Sequence, residues 1–497
     1  MNSRTLISLL KIKTAYGEFP ESVTNITTDS REAKADSVFV ALRGHQVDGY
    51  NFIPNAVEAG CRFIVTDRFI EIPQEAGLLI VKDPSKVAAL FAEYIFDFPH
   101  ESQTMIGVTG TNGKTTVATM IHNLSRSLGK NSAYLGTNGF MINEDRYDSI
   151  NTTPETTKLH KRLKEANDAE TEVFTMEVSS HALKLGRTFG IDHDITIFTN
   201  LTQDHLDFHS TMDEYGYVKG LLFSQMGQNV RDRKYIILNN DDPWAARYSD
   251  MTPHEVISYG MDETADFWPS EIEGTLEGFN FILNTPDGPI PINSPFIGYF
   301  NIQNLMCAII SEWLQGYKLK RIVEAVKHME PVEGRLEVLD PKLPVDIIID
   351  FAHTPDALEK IVDTIEPFVT KRLIFLVGMT GERDMTKAEE MGRISTRADY
   401  AIFTPDNPAN DDPGMLVRAL EKGAAHADYR SFIDRAEGIQ HAIDISEPGD
   451  TIVLACKGRE PYQIMEDYIK VPHRDDLIAL DAAYRKYRSD EYAEDWD

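Results

Sequence analysis

The chain has 497 residues, too many for one hydrophobic core, so two to four domains are expected. A formal net charge of −30 argues against the basic face that nucleic acid or an anionic membrane requires, yet leaves room for an anionic small molecule held by local cations. No run reaches the ~20 apolar residues of a membrane span, and the opening residues lack the basic, apolar and small-residue order of a signal peptide, so secretion is not expected. Three scattered cysteines, Cys61, Cys307 and Cys456, make neither a disulfide framework nor a metal knuckle, so a cytoplasmic location is expected.

In chain order, residues 1–100 mix short strand-like runs, "SVFVAL", "RFIVT" and "GLLIV", with short helical stretches. From 101 onward strands alternate with helices: "TMIGVT", "EVFTMEVS", "DITIFTN" and "KYIILNN". From 333 a second such series follows, with "VDIIIDFA", "RLIFLVGM", "DYAIFTP" and "DTIVLACKG". Strand–helix alternation implies mostly parallel sheets covered by helices, so the expectation is an α/β protein of three domains, 1–100, 101–332 and 333–497. The acidic end, "SDEYAEDWD", reads as a solvated tail.

The sharpest local signal is "IGVTGTNGKTTVATMI", residues 106–121. An apolar strand enters a Gly-rich loop, and Lys114 and Thr115 open a helix whose Val117, Met120, Ile121, Leu124 and Leu128 recur at helical spacing. Gly110 and Gly113 let backbone N–H groups approach phosphate, Lys114 supplies charge, and Thr115 suits a magnesium ion. The strict phosphate-loop pattern places glycine where this chain has Val108, so the loop is a variant. Beyond it, "MEVSSHAL" places Glu177 and His181 past one strand, and "NLTQDHLDFH" places Asp204, His205, Asp207 and His209 past the next. A carboxylate and an imidazole from neighbouring strand ends can share a divalent cation with phosphate oxygens, whereas His209 alone reads better as structural.

These motifs occur in order with "NTTPET", "GYFNIQN", "EGRLEVL" and "DFAHTPDAL", preceded by "TTDSREAKADSVFVAL" and followed by "DNPAND". The whole chain thereby resembles the Mur ligases, ATP-dependent amide-forming enzymes of peptidoglycan synthesis, and within them the branch that adds the third peptide residue. The resemblance implies an N-terminal uridine-nucleotide-binding α/β domain, a central phosphate-loop ATPase domain and a C-terminal Rossmann-like α/β domain. It implies ATP and Mg2+ as cofactors and UDP-N-acetylmuramoyl-L-Ala-D-Glu as substrate, with neither nucleic acid nor membrane insertion; a monomer is expected. A carboxylate is a poor electrophile, so the implied chemistry is its phosphorylation by ATP followed by attack of an amine on the acyl phosphate, with catalysis chiefly by positioning and charge neutralisation.

Residue by residue, the resemblance implies that Gly110, Thr111, Asn112, Gly113, Lys114, Thr115 and Thr116 cradle the ATP phosphates. Thr115 and Glu177 would hold one magnesium ion and His205 a second. Lys219, in "DEYGYVKGLLF", matches a lysine that is carbamylated in the family, a change that converts an ammonium into a carboxylate-like group. Lys114, Lys219 and His205 are thereby the implied catalytic residues. Asn301 would meet the adenine region, and Arg335, Asp350 and His353 the nucleotide, although Arg335 also reads as an interface ion pair. Ser30, His45 and Gln46 match uridine-nucleotide contacts, while Thr152, Thr153, Ser179 and Arg187 match contacts to the sugar-peptide portion.

The loop "DNPA" speaks to the incoming amino acid. In relatives that add meso-diaminopimelate, the resemblance places an arginine where this chain has Ala409, and that arginine takes the distal carboxylate. L-Lysine has no such carboxylate, so Ala409, with Asn407 and Pro408, points to L-lysine. Asp406 and Glu460 suit a side-chain ammonium, and Arg383 suits an α-carboxylate; Asp406 also fits a simple Asx turn. L-Ornithine, one methylene shorter, stays open. A folylpolyglutamate synthetase-like ligase is the rival, and it leaves the N-terminal "TTDSR…GHQVDGY" region without a purpose.

Overall fold

Short β-branched and aromatic runs, broken by Gly, Pro and Asp, form the strands that the sequence predicts in all three regions. The computed structural model describes residues 1–43, 48–147, 151–206, 208–424 and 428–488. His45 and Gln46, expected at the uridine nucleotide, lie outside the described residues, as do Asp207 and the acidic end from 489. The chain divides into two compact units, residues 1–201, 213–258 and 310–316, and residues 202–212, 259–309 and 317–497. These units do not coincide with the three expected domains, because 259–309 packs with the later chain rather than with the phosphate-loop region.

In the first unit, residues 14–80 form a five-stranded sheet in the order Thr14–Tyr16, Gly77–Ile80, Phe63–Thr66, Ser37–Val40, Asn25–Thr27. Its first pairing is antiparallel and the rest are parallel. Successive side chains serve opposite faces: Val38, Val40, Phe63 and Val65 pack with Val87 and Phe91 of the helix Pro84–Phe96, while Phe39 and Ile64 pack with Ile53 and Ala56. Asp83 caps the helix Pro84–Phe96, accepting from the backbone N–H groups of Ser85 and Lys86.

An eight-stranded sheet follows in the order Glu255–Tyr259, Tyr235–Asn239, Ile195–Phe198, Thr104–Thr109, Val173–Glu177, Ser132–Gly136, Gly139–Ile142, Asp145–Tyr147. The run from Tyr235–Asn239 to Ser132–Gly136 is parallel, and the last two strands return as antiparallel ribbons. The phosphate-loop strand Thr104–Thr109 sits among its parallel neighbours and is buried along nearly its whole length.

The second unit holds a three-stranded antiparallel sheet, Trp268–Thr275, Gly278–Asn284 and Ile290–Ser294. It also holds a six-stranded sheet in the order Glu337–Val338, Asp346–Ile349, Thr451–Leu454, Leu373–Met379, Tyr400–Pro405, Tyr429–Ser431. Only the first pairing of the six-stranded sheet is antiparallel. The sheet is held from one side by a buried ion pair: Arg435 donates to Asp475 at 2.5 Å, to Thr404 Oγ1 at 3.0 Å and to the Ala455 carbonyl at 2.7 Å. Burial by itself would raise the Asp475 carboxyl, but Arg435 and His473 hold it down at about 2.

Within the first unit, the helix Thr156–Asp168 packs on the helix Pro84–Phe96 through a buried acid between two imidazoles. Glu93 lies 2.7 Å from His160 Nε2 and 3.3 Å from His100 Nδ1. Burial would raise Glu93, and the two histidines overcome it and hold the carboxyl low; Glu93, with Glu101 and Asp192 nearby, lifts His100 despite burial. The signs give opposite windows. The lowered Glu93 contributes stability above its unfolded pKa, and that contribution fades as pH falls. The raised His100 contributes below about pH 6.5 and loses its share as pH rises through its folded pKa. Glu93→Gln is therefore expected to cost most near about pH 5.5 and clearly less near about pH 8, read as the shift in urea midpoint against the unchanged chain at each pH.

Candidate active site

Three adjacent parallel strands, Thr104–Thr109, Val173–Glu177 and Ile195–Phe198, end at one edge, so the loops that follow them converge. Gly110 takes φ +150°, and a Cβ there would stand 1.8 Å from Thr199 Oγ1, so no side chain fits. Gly113, at φ +86°, turns the chain into the helix Lys114–Ser127, which has no side-chain cap at its N-terminus. Such a helix start directs backbone N–H groups at an anion. The loop is braced from the neighbouring strand end: Thr111 N donates to the Asn200 carbonyl at 2.8 Å, and Asn112 N to Asn200 Oδ1 at 2.9 Å. Lys114 Nζ donates to the carbonyls of Gly110 (2.9 Å) and Thr111 (2.8 Å), curled over the loop, and Thr116 is buried on the helix behind it.

Glu177 is fully buried at the end of its strand. Its Oε2 accepts from Thr115 Oγ1 at 2.9 Å, and its Oε1 accepts from Tyr134 OH at 2.7 Å and from Thr137 N at 2.8 Å. Gly136 is needed here, because a Cβ would come 2.2 Å from Glu177 Oε1. The pair Thr115 and Glu177 is thus brought together as expected, while Tyr134 and Thr137 were not singled out. Their strand-end position in "AYLGTNG" was the available signal.

The residues matched to the sugar-peptide portion gather beside Glu177. Thr153 Oγ1 donates to the Glu177 carbonyl at 2.8 Å and accepts from Ser179 N at 3.1 Å. Thr152 Oγ1 lies 3.1 Å from Thr137 Oγ1, and Arg187 donates to the Thr153 carbonyl at 3.1 Å while pairing with Glu155 at 2.7 Å. Lys219, buried on the helix Met212–Ser224, donates to the Gly110 carbonyl at 2.7 Å and lies 4.5 Å from the Tyr215 ring centre, so it reaches the phosphate loop. Ser30 opens a short 3-10 turn capped by Asp29 in the N-terminal region.

The remaining residues that the resemblance matches to the nucleotide and its metal ions lie in the second unit. His205 takes φ +54°, its backbone N–H donating to Asp204 Oδ1 at 2.9 Å. Burial would raise Asp204, but His205, His353 and Lys387 hold it low. Burial and the Lys387 charge push the His353 imidazole down, and the Phe351 carbonyl accepts from its Nδ1 at 3.0 Å. Asp350 is buried and accepts from Leu336 N (2.7 Å) and Ala352 N (2.6 Å); burial raises it against the pull of Arg335, whose guanidinium lies 4.8 Å from the Phe351 ring centre. Asn301 is buried near the start of the helix Tyr299–Leu314, donating to the Ile297 carbonyl at 2.7 Å and accepting from Asn304 at 2.9 Å.

A second convergence forms where Thr451–Leu454, Leu373–Met379 and Tyr400–Pro405 end side by side. Asp406 accepts from Thr380 Oγ1 at 2.8 Å, and Asn407 donates to Glu460 Oε2 at 2.9 Å. Pro408 is buried, and Ala409 takes φ +51° with its N–H donating to the Ile464 carbonyl at 2.9 Å. Arg383 is exposed on the loop after the middle strand. Asp406, Asn407 and Glu460 all surround the buried ammonium of Lys457, a residue that was not singled out.

Three family models match in succession: Mur ligase family, catalytic domain, over residues 22–91; Mur ligase middle domain over 108–311; and Mur ligase, glutamate ligase domain, over 334–458. The chain belongs to the Mur ligase family. Two curated relatives, from Staphylococcus aureus (strain COL) and Staphylococcus epidermidis, are each named UDP-N-acetylmuramoyl-L-alanyl-D-glutamate--L-lysine ligase. Each is 55% identical over 487 residues, covering 98% of this chain and 99% of the relative. Among solved structures, a UDP-N-acetylmuramoyl-L-alanyl-D-glutamate--2,6-diaminopimelate ligase is 26% identical with a TM-score of 0.66, covering 93% of this chain and 95% of that one. The three-domain α/β fold with mostly parallel sheets is thus that of the Mur ligases.

In this Mur ligase, Tyr134 is a donor to a buried charge. Tyr134→Phe is expected to lower stability by about 1.5–3 kcal/mol, the worth of a hydrogen bond to a charged group. Urea denaturation of the two proteins at neutral pH measures the loss.

Proposed function

We propose that the chain is an ATP-dependent ligase that joins L-lysine to UDP-N-acetylmuramoyl-L-Ala-D-Glu in the making of peptidoglycan precursor. The observation that carries the reading is the near-full-length identity to relatives bearing that ligase name. Ala409 supports the choice of amino acid, since the loop after Tyr400–Pro405 offers no cation at that position for a distal carboxylate. The family-model match over 22–91 gives the N-terminal region a place in a Mur ligase, which the folylpolyglutamate alternative did not.

The reaction is the one that the Mur ligase family implies. A substrate carboxylate oxygen attacks the γ-phosphorus of ATP and ADP departs, giving an acyl phosphate. The α-amine of lysine then adds to the acyl carbon, and phosphate leaves as the amide forms and the nitrogen loses its proton. The loop 110–116 and Lys114 hold the phosphates; Asn301, Arg335, Asp350 and His353 are assigned to the nucleotide. Ser30, His45, Gln46, Thr152, Thr153, Ser179 and Arg187 are assigned to the uridine-linked substrate, and Arg383 to the α-carboxylate of the amino acid. The buried oxygens of Thr115 and Glu177, 2.9 Å apart, suit a hard cation, so they would hold magnesium, with His205 assigned to a second ion; bound magnesium supplies neutralisation of phosphate charge. The protein is assigned to the cytoplasm as a monomer of three domains, 1–100, 101–332 and 333–497.

Phosphate release that requires both the UDP-linked dipeptide and L-lysine is the expected result of a coupled assay, and release indifferent to both would refute the ligase reading. Competition should give a kcat/KM for L-lysine far above that for meso-diaminopimelate, with L-ornithine as the third competitor. Ala409→Arg is expected to lower kcat/KM for L-lysine by about tenfold or more, because it sets a cation against the substrate's ammonium. Lys219 is assigned a carbamate. Intact-mass measurement should find one added CO2 at neutral pH with bicarbonate, absent from Lys219→Ala; no difference between the two would remove the assignment.

A further inference from the structure

We propose that Lys457 is the internal counter-ion of the amino-acid pocket: it cancels the charge of Asp406 and holds Glu460, leaving one net negative charge for a side-chain ammonium. This rests on the ligase reading above and deepens it. Lys457 Nζ is fully buried and donates to Asp406 Oδ1 at 3.1 Å, Asn407 Oδ1 at 3.0 Å and Glu460 Oε2 at 2.6 Å. A buried lysine is costly unless each proton of its ammonium has an acceptor, and here three acceptors are supplied from two loops. Those loops follow Thr451–Leu454 and Tyr400–Pro405, strands that flank Leu373–Met379, so the Lys457 side chain ties together loops on either side of the middle strand.

The two carboxylates are not equivalent. Asp406 has a side chain 7% exposed and both oxygens engaged, Oδ1 by Lys457 and Oδ2 by Thr380. Glu460 is 21% exposed, and its bonds from Lys457 and from Asn407 Nδ2 fall on the same oxygen, Oε2. Two acids and one lysine leave a single negative charge, and Oε1 of Glu460 is the atom that can deliver it to a ligand. A neutral side chain gains nothing from such a site, and an anionic one is repelled. Lys457 itself is a positioning residue, since it acts through Glu460.

The test compares the unchanged enzyme with Lys457→Met, Lys457→Met/Asp406→Asn and Glu460→Gln. L-Lysine is set against L-norleucine, which has the same chain length without the ammonium. Lys457→Met is expected to raise KM for L-lysine by at least about tenfold, because Glu460 loses the donor that holds it and the unscreened Asp406 carboxylate repels it from its place, while KM for ATP and for the UDP-linked dipeptide stays within about twofold. The double variant keeps Glu460 and restores the charge count, so it should recover part of the lysine KM and retain preference for L-lysine over L-norleucine. Glu460→Gln should lose that preference. An unchanged lysine KM in Lys457→Met overturns the proposal, as does a double variant no better than the single one. If Lys457→Met fails to fold, the double variant decides, since loss of its lysine preference has the same force. Should the unchanged enzyme fail to use L-lysine at all, the ligase reading falls first, and that result is distinct from either variant outcome.

Discussion

Glu177 carries a fully buried carboxylate, and a buried charge has to be met by donors. That requirement organises the phosphate end of the first unit. Thr115 supplies a hydroxyl from the first turn of the loop helix, Tyr134 a phenol from the next strand, and Thr137 a backbone N–H from the turn after it. Gly136 has no side chain because the carboxylate and the phenol occupy the space. Through Thr153, which donates to the Glu177 carbonyl, the same residue reaches the segment matched to the sugar-peptide substrate. One acid thereby fixes the helix start, a strand end and the segment around Thr153 in a common frame.

The second unit solves the same problem repeatedly. Asp350 is met by two backbone N–H groups that shape the turn carrying Arg335, and Asp475 by Arg435 and His473. Asp406 is met by Thr380 and Lys457. In a chain of net charge −30, these three carboxylates are among those placed inside, and each of the three is met by donors from its own surroundings. The buried ones do not loosen the fold, because removing one partner would strand the other in a medium where unpaired charge is expensive.

Strands and helices were legible because their signals are local. "TMIGVT" and "RLIFLVGM" are apolar runs bounded by turn residues, and each forms a strand within a residue of the expected span, while "DTIVLACKG" forms a strand only over Thr451–Leu454. The phosphate loop was legible for the same reason, since its glycines, lysine and threonine are contiguous. The three-stranded antiparallel sheet from 268 to 294 was not foreseen, although Trp268–Thr275 alternates exposed and partly covered side chains. Nor were Tyr134, Thr137, Thr380 and Arg435: an isolated tyrosine, threonine or arginine carries no spacing signal until a buried acid is found beside it.

The sequence by itself determined the class of fold and the family, for these depend on contiguous residues whose conformational and chemical preferences act over a few positions. It also raised the matter of Ala409, where an absent arginine is visible without coordinates. Only the tertiary structure decided how the acids assigned to the amino-acid pocket are partnered. Asp406 and Glu460 are 54 positions apart in number, and Lys457 meets both only because parallel strands end at one edge. Local pattern sets which segments become strands; the order of strands in the sheet sets which side chains meet, and charge balance in a buried site depends on that meeting.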